Sequence, residues 1–215
     1  GHVVWQNKAL DQMSYADLAQ KRAVLPQLQS PAFSISVQEL VELGAQVQQG
    51  LNAPQIKEIC QVVMQACDVV NLAQHDVMQL SGGEQKRAQL ARVLAQIWPI
   101  EAFDTDLVNP FKNRWLFLDE WTNNLDLHHQ QTLAQLFKQL ARQGLGIIMV
   151  LHDINLCAQI ADEVLLLNQG KLFKQGKVSE VLTAQTIEQA LNLDVQITHI
   201  EGIKHPIILP KDLQN

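Results

Sequence analysis

Leu80-Ser81-Gly82-Gly83-Glu84-Gln85 is the stretch on which the reading of this chain turns. It runs into a segment whose apolar residues Leu90, Ala91, Leu94 and Ile97 share one helical face. Two glycines beside a serine let a backbone approach a ligand closely. A Ser-Gly-Gly turn opening a helix offers free N–H groups and the positive end of the helix dipole, which suit a phosphate. An ordinary capped helix with glycines in its first turn has the same sequence, so the stretch alone does not decide. The run Trp115-Leu116-Phe117-Leu118-Asp119-Glu120 shifts the balance, although an acidic pair after a strand can by itself be a solvated loop. It has the pattern of a buried strand that delivers two carboxylates to its C-terminal edge. From Leu80 to Leu167 helical and apolar-strand patterns alternate, which predicts an α/β fold with a doubly wound sheet.

The chain's 215 residues suffice for one sizeable core, or a core with an appended subdomain. Net charge is −6 and no stretch is strongly basic, so no nucleic-acid partner is expected. No apolar run nears the ~18 residues a membrane span needs, and no secretory leader is visible. Service to a membrane process would therefore require a separate membrane subunit. Cys60, Cys67 and Cys157 form an odd, scattered set in apolar helical contexts, the pattern of buried free thiols rather than a disulfide framework or zinc site.

Residues 2–5 read as a strand and 6–8 as a polar turn, and Ser14 with Asp17 opens a helix. Residues 22–25 are a short strand stopped by Pro26, after which Gln27 begins a polar stretch. Ser36-Val37-Gln38-Glu39 is a capping box opening a helix through Leu40, Leu43 and Val47. Pro54 suits the first turn of the next helix, striped by Ile56, Ile59, Cys60 and Val63. Residues 28–97 are thus expected to be nearly all helical. Residues 101–113 read as an exposed connector whose Asp104 and Asp106 are solvated rather than metal-bound. Asp126 is a candidate N-cap for a helix through Leu133, Leu136, Phe137 and Leu140, ended by Gly144. Residues 147–151 are a buried strand, and 164–167 with 171–174 a hairpin at the sheet edge. Short helices at 178–183 and 186–191 and strands at 195–199 and 207–209 follow.

Phosphoryl transfer to water needs positioning, a metal and an oriented nucleophile. A carboxylate at a strand end, as at Asp119, can hold Mg²⁺, and the next residue, Glu120, can polarise water. His128-His129 invites a metal reading, but adjacent helical residues diverge by ~100°, so no shared metal is expected.

Taken in order, these motifs resemble those of the nucleotide-binding subunits of ATP-binding-cassette (ABC) transporters. Residues 80–85 match the signature motif, 116–120 the Walker B strand and Asn123-Asn124-Leu125-Asp126 the D-loop. His152 matches the switch histidine and Gln27 the Q-loop. The resemblance implies a P-loop NTPase-like (RecA-like) core of mainly parallel sheet with an inserted helical subdomain. It divides the chain into 1–27, the remainder of the N-terminal part of the core; 28–97, the helical subdomain facing a membrane subunit; and 98–215, the C-terminal part of the core. It implies ATP and Mg²⁺ as cofactors. Mg²⁺ would be held by Asp119 and Gln27, and Glu120, His152 and Gln27 would be catalytic. Ser81, Gly82, Gly83 and Glu84 would cap the ATP of a second copy paired head to tail, with Asp126 at the seam.

No G-x-x-x-x-G-K-[ST] run occurs in the chain. In the family that loop lies upstream of a strand like Gly1-His2-Val3-Val4. The first strands, the adenine-stacking aromatic and the Walker A lysine are therefore expected to be missing, and the polypeptide alone to bind ATP poorly and be inactive, the ATPase activity that the resemblance implies belonging to a full-length parent. Trp121 stands where the family usually has proline, and Asn123-Asn124 where it has a small Ser-Ala pair. The first change frees the backbone after Glu120 and demands a pocket or an open face for the indole.

Residues 152–158 and 33–41 resemble the iron-chelate, haem and vitamin B12 branch of importers. Trp98-Pro99 and the segment 205–210 look most like hemin-import ATPases. The resemblance implies an ATPase at the cytoplasmic face of the bacterial inner membrane that drives hemin import. Its partners would be transmembrane permease subunits and, indirectly, a periplasmic haem-binding protein. The alternatives are an iron-siderophore or vitamin B12 importer ATPase, or a truncated non-catalytic cassette that only docks on a permease.

Overall fold

Gln6 and Asn7 both adopt left-handed backbone, with φ of 47° and 63°. They fold β1 (Val4–Trp5) back onto β2 (Lys8–Ala9) as an antiparallel hairpin. The computed structural model describes residues 1–27, 33–104 and 106–211, in two units, Gly1–Val150 and Leu151–Asn215. The polar stretch expected directly after Gln27 lies outside the described residues.

In the first unit, Ser14 caps α1 (Tyr15–Ala19), accepting from the Asp17 amide at 3.1 Å, and β3 (Arg22–Leu25) follows. Helices α2 (Val37–Ala45) and α3 (Ala53–Ala66) both open on capping boxes, Ser36 with Glu39 and Asn52 with Gln55. A third box, Ser81 with Glu84, opens α4 (Gly82–Ile97). Then come β4 (Trp115–Asp119), α5 (Leu127–Arg142) and β5 (Gly146–Val150). Gly144, at φ 94°, ends α5, and the Leu145 amide returns to the Leu140 carbonyl at 3.1 Å.

Strands β3, β4 and β5 form a parallel sheet in that order, with Leu25 beside Leu118 and Leu118 beside Met149. Helix α4 lies between this sheet and helices α2 and α3. Its Leu90, Ala91, Leu94 and Ile97 are all buried. The Gln96 amide ties it to the sheet, donating to the Ala19 and Arg22 carbonyls at 2.9 Å each. Gly44 lets α2 come close, since a Cβ there would lie 2.1 Å from the Arg92 carbonyl oxygen. Across β4 and β5, Gly146 leaves room for the Trp115 indole, 2.5 Å from where a Cβ would stand. One sheet face buries Ala23, Leu25, Leu116 and Leu118, while Val24, Ile148 and Val150 on the other are 46%, 44% and 52% exposed.

The second unit holds α6 (Ile154–Ile160), β6 (Glu163–Asn168), β7 (Lys171–Lys177), α7 (Val178–Val181), α8 (Ala184–Leu191), β8 (Val195–Thr198) and β9 (Ile207–Pro210). Its core gathers Ala158, Val164, Val181, Ile187, Val195 and Ile208. The Asn155 side chain acts as a strand partner for Ile208, bonding its amide at 2.8 Å and its carbonyl at 3.0 Å.

Three expectations need correction. Leu43 is 49% exposed and Val47 lies beyond α2, because the buried stripe runs through Val37, Leu40, Val41, Gly44 and Ala45 instead. Strands β6 and β7 pair with each other in a two-stranded sheet rather than at the edge of a larger one. The connector 101–113 is not simply exposed. Phe111 is fully buried, edge-on to Trp98 with centroids 5.2 Å apart, and its amide bonds the Gln143 carbonyl at 3.1 Å.

The three cysteines are free thiols, Cys60 and Cys67 buried and Cys157 half-buried. Burial pushes Cys60 up to about 12 and raises the other two, so all three are poor nucleophiles. Among the described residues no helix is long and apolar enough to cross a membrane.

Candidate functional site

Asp119 ends β4, and the chain then turns sharply. Glu120 takes left-handed backbone, φ 45°, while its amide still reaches the Val150 carbonyl at 3.3 Å. Such backbone in a non-glycine residue is costly and persists only where the surroundings hold it. Here they do. The Asn123 amide returns to the Glu120 carbonyl at 3.3 Å, and the Gln130 side chain donates to the Thr122 and Leu125 carbonyls at 3.3 and 3.0 Å. Trp121 between them is 0% exposed and edge-on to Phe137 of α5, with centroids 5.0 Å apart. The expectation that losing proline frees this backbone is therefore corrected: a buried indole anchors it instead.

The parallel pairing of β3 and β4 carries Gln27, two residues past Leu25, to the same end as Glu120. The Gln27 amide donates to Glu120 Oε2 at 2.6 Å, and the Asn123 amide donates to the same oxygen at 2.7 Å. The Lys86 ammonium, on α4, is buried with no hydrogen-bond partner among the described residues. Burial pushes its pKa down, and the negative charges of Asp119 and Glu120 partly oppose that. Lys86 was missed in the sequence. The signal was a cation one residue before the buried run Arg87–Ala91 of a helix.

The signature turn forms the N-terminus of α4. Ser81 Oγ donates to Glu84 Oε2 at 2.6 Å and accepts from the Glu84 amide at 3.4 Å, while the Ser81 amide donates to Oε2 at 2.8 Å. The Ser81 hydroxyl, then its amide, hold the Glu84 carboxyl below the usual range. Neither glycine has left-handed backbone, and only Gly83 is needed for space. A Cβ on Gly82 would sit 3.4 Å from the Asn124 side chain, and one on Gly83 only 2.7 Å from the Asn124 carbonyl oxygen. The signature turn thus abuts the loop that follows Glu120.

Asp126 caps α5, accepting from the His129 amide at 2.9 Å. His129 Nδ1 also meets both Asp126 oxygens at 2.8 and 2.9 Å, and its Nε2 stands 3.3 Å from Asp68 Oδ2. The His129 amide, followed by its ring, holds Asp126 below the ordinary carboxylate range. His129 is therefore engaged between two carboxylates. The Asp126-x-x-His129 spacing at a helix start was the available signal, and the reach to Asp68 had none. Among the described residues no cluster could hold a metal through histidine, cysteine and acid side chains alone. His152 is exposed and opens the second unit, where Asp153 caps α6 by accepting from the Asn155 and Leu156 amides at 2.8 and 3.0 Å.

A family model described as ABC transporter matches residues 1–105. The hemin import ATP-binding protein of Escherichia coli O157:H7 is 40% identical over 204 residues, 94% of this chain and 75% of that protein. The chain belongs to the ABC transporter ATPase family. The hemin import ATP-binding protein of Bartonella quintana (strain Toulouse) is 37% identical over 215 residues, 98% of this cassette and 75% of that protein. In fold, the cassette is similar to a metal-chelate type ABC transporter solved in an inward-facing conformation. The TM-score is 0.69 at 22% identity, covering 90% of this chain and 74% of that one. A bacterial ABC transporter cassette solved as a dimer gives 0.66 at 23% identity, covering 83% and 73%. The α/β cassette fold expected from the sequence is the one observed, with its parallel sheet.

The family binds ATP, and the residues present suit a magnesium–nucleotide ligand. Asp119 offers a hard oxygen donor and Gln27 a neutral amide at the end of the parallel sheet, where such folds bind ligands. Gly82 and Gly83 offer the first amides of a sixteen-residue helix, at its positive end.

Proposed function

We propose that this cassette is the ATP-hydrolysing subunit of a bacterial hemin importer. The observation that carries the reading is the Glu120 carboxylate, held by the Gln27 amide one residue beyond the Asp119 strand end. In this reading Asp119 and Gln27 would hold Mg²⁺, which would supply neutralisation of the phosphate charge. Glu120 Oε2 accepts a proton from the attacking water, and His152 and Gln27 complete the catalytic set. Ser81, Gly82, Gly83 and Glu84 close over the nucleotide of a second copy paired head to tail, with Asp126 at the seam. To receive phosphate, the Ser81 hydroxyl must leave Glu84 Oε2.

Residues 28–97 form the helical subdomain that passes closure and reopening to transmembrane permease subunits at the cytoplasmic face of the inner membrane. Residues 1–27 and 98–215 form the ATP-binding core. A periplasmic haem-binding protein supplies the cargo to the permease. The names of the relatives, hemin import ATP-binding proteins at 37–40% identity, support hemin as that cargo.

The test is ATP-driven uptake into proteoliposomes holding a hemin permease and this cassette with a Walker A segment joined at its start, with hemin, a ferric siderophore and cobalamin offered in turn. Hemin uptake that disappears in Glu120→Gln is expected; uptake of only another cargo, or unchanged hydrolysis in Glu120→Gln, overturns the reading. The chain carries no G-x-x-x-x-G-K-[ST] run, so without that segment it should bind MgATP only weakly by isothermal titration. Micromolar affinity would refute that part.

A further inference from the structure

We propose that Asn123 is a positioning residue for the Glu120 carboxylate, which it holds jointly with Gln27. The inference rests on the reading of Glu120 as the base. Glu120 Oε2 receives two amide donors, Gln27 Nε2 at 2.6 Å and Asn123 Nδ2 at 2.7 Å. An ionised carboxylate is acceptor-only, and an Asn amide brings two donors on a short arm with two side-chain torsions. Donors from two directions on one oxygen set where that oxygen lies. A single donor leaves the group free to swing about it.

The two donors have different supports. Gln27 lies beyond Pro26 at the end of β3, in bend rather than strand. Asn123 lies in a turn fixed on every side. Its own amide bonds the Glu120 carbonyl at 3.3 Å, Trp121 is buried against Phe137, and Gln130 bonds the carbonyls before and after it at Thr122 and Leu125. Asn124, at φ 65°, presses its carbonyl against Gly83. A donor whose backbone is held by several contacts orients its acceptor better than one with fewer supports. Asn123 is thus the more firmly supported donor of the two. A group that takes a proton from water must be held within about 0.5 Å of its working place, so the better-supported donor governs turnover rather than substrate binding.

The experiment has two readouts, the first on the full chain. Side-chain three-bond couplings and the ¹³Cδ signal of Glu120 are measured by NMR in the wild type, Asn123→Ala and Asn123→Asp. The aspartate keeps the shape but replaces the donor with an acceptor. One dominant Glu120 rotamer in the wild type, averaged couplings in both variants and unchanged backbone spectra are expected. A single, unchanged rotamer in the variants overturns the proposal. The second readout is ATP hydrolysis with the permease, in the cassette with a Walker A segment joined at its start. There Asn123→Ala should lower kcat about tenfold to a hundredfold, the loss expected for one hydrogen bond to a charged group, with KM for MgATP unchanged. Loss in KM alone, or no loss, also overturns it. Glu120→Gln separates the two ideas. If that variant hydrolyses ATP normally, the base assignment fails. If it is inactive while Asn123→Ala turns over normally, only the role of Asn123 fails.

Discussion

Gly83→Ala should destabilise the first unit where Gly82→Ala does not, and the comparison isolates one contact. Both glycines lie in the first turn of α4, and neither has left-handed backbone, so alanine brings each the same propensity gain, up to about 1 kcal/mol. They differ in what the new methyl meets. At Gly82 it stands 3.4 Å from the Asn124 side chain, an ordinary contact; at Gly83 it stands 2.7 Å from the Asn124 carbonyl oxygen, a backbone atom that cannot rotate away. Overpacking of this kind costs about 1–3 kcal/mol, and because the propensity gain cancels, that range is the expected gap between the variants. Urea denaturation followed by tryptophan fluorescence reads it. With slopes of about 1–3 kcal/mol/M, the midpoint for Gly83→Ala should fall about 1 M below that for Gly82→Ala at equal slope. Equal midpoints would mean that the loop after Glu120 does not rest on the signature turn, and the coupling inferred between them would go.

Trp121→Ala removes a fully buried indole packed on Phe137. It should cost about 3–5 kcal/mol by thermal or urea denaturation, whereas Trp121→Phe should cost less, since it keeps a ring against Phe137 and removes an N–H with no partner among the described residues. A mild alanine variant would place the anchor elsewhere. Lys86 gives a pH signature. Burial lowers its pKa below the ordinary 10.5, so between the folded value and 10.5 the unfolded chain binds the extra proton and stability rises with pH. Lys86→Met should remove that alkaline rise and be more stable at pH 7 by about 1 kcal/mol, the low end for an unpaired buried donor. A variant that loses stability at pH 7 yet keeps the rise would show that the ammonium is paired and that another group titrates.

What the sequence could and could not disclose follows from the range of each interaction. Capping boxes are local, so Ser36 with Glu39 and Ser81 with Glu84 were legible, and Asn52 with Gln55 was available by the same rule. Strands β4 and β5 were legible from their apolar runs, but the burial expected for residues 147–151 was not met, since Ile148 and Val150 on the second sheet face stay exposed. Leu43 misled because its spacing fits a helical stripe while the actual stripe is rotated from it. The polar centre was legible only as separate parts. Nothing local ties Gln27 to Glu120, which are 93 residues apart. Asn123 read as a departure in a loop, because its value lies in where the turn aims its amide. Trp121 read as a liability, because only the fold supplies Phe137 beneath it.

These details share a cause in α4. Its N-terminus abuts Asn124, its second turn carries Lys86 towards Asp119 and Glu120, and its last turn is tied through Gln96 to the carbonyl of Arg22 on β3. Strand β3 leads to Gln27, and the loop at Asn124 includes Asn123. Both amides on Glu120 Oε2 therefore hang from elements that the same helix contacts. Close-packed interiors shift between discrete arrangements rather than deforming smoothly. A ligand seated on the Gly82 and Gly83 amides would press on a backbone-to-backbone contact with Asn124, where there is no slack to absorb the motion. Its displacement must pass into the turn that aims Asn123. In the proposed reading, one helix would thus link phosphate capture at its tip to carboxylate alignment beside its second turn.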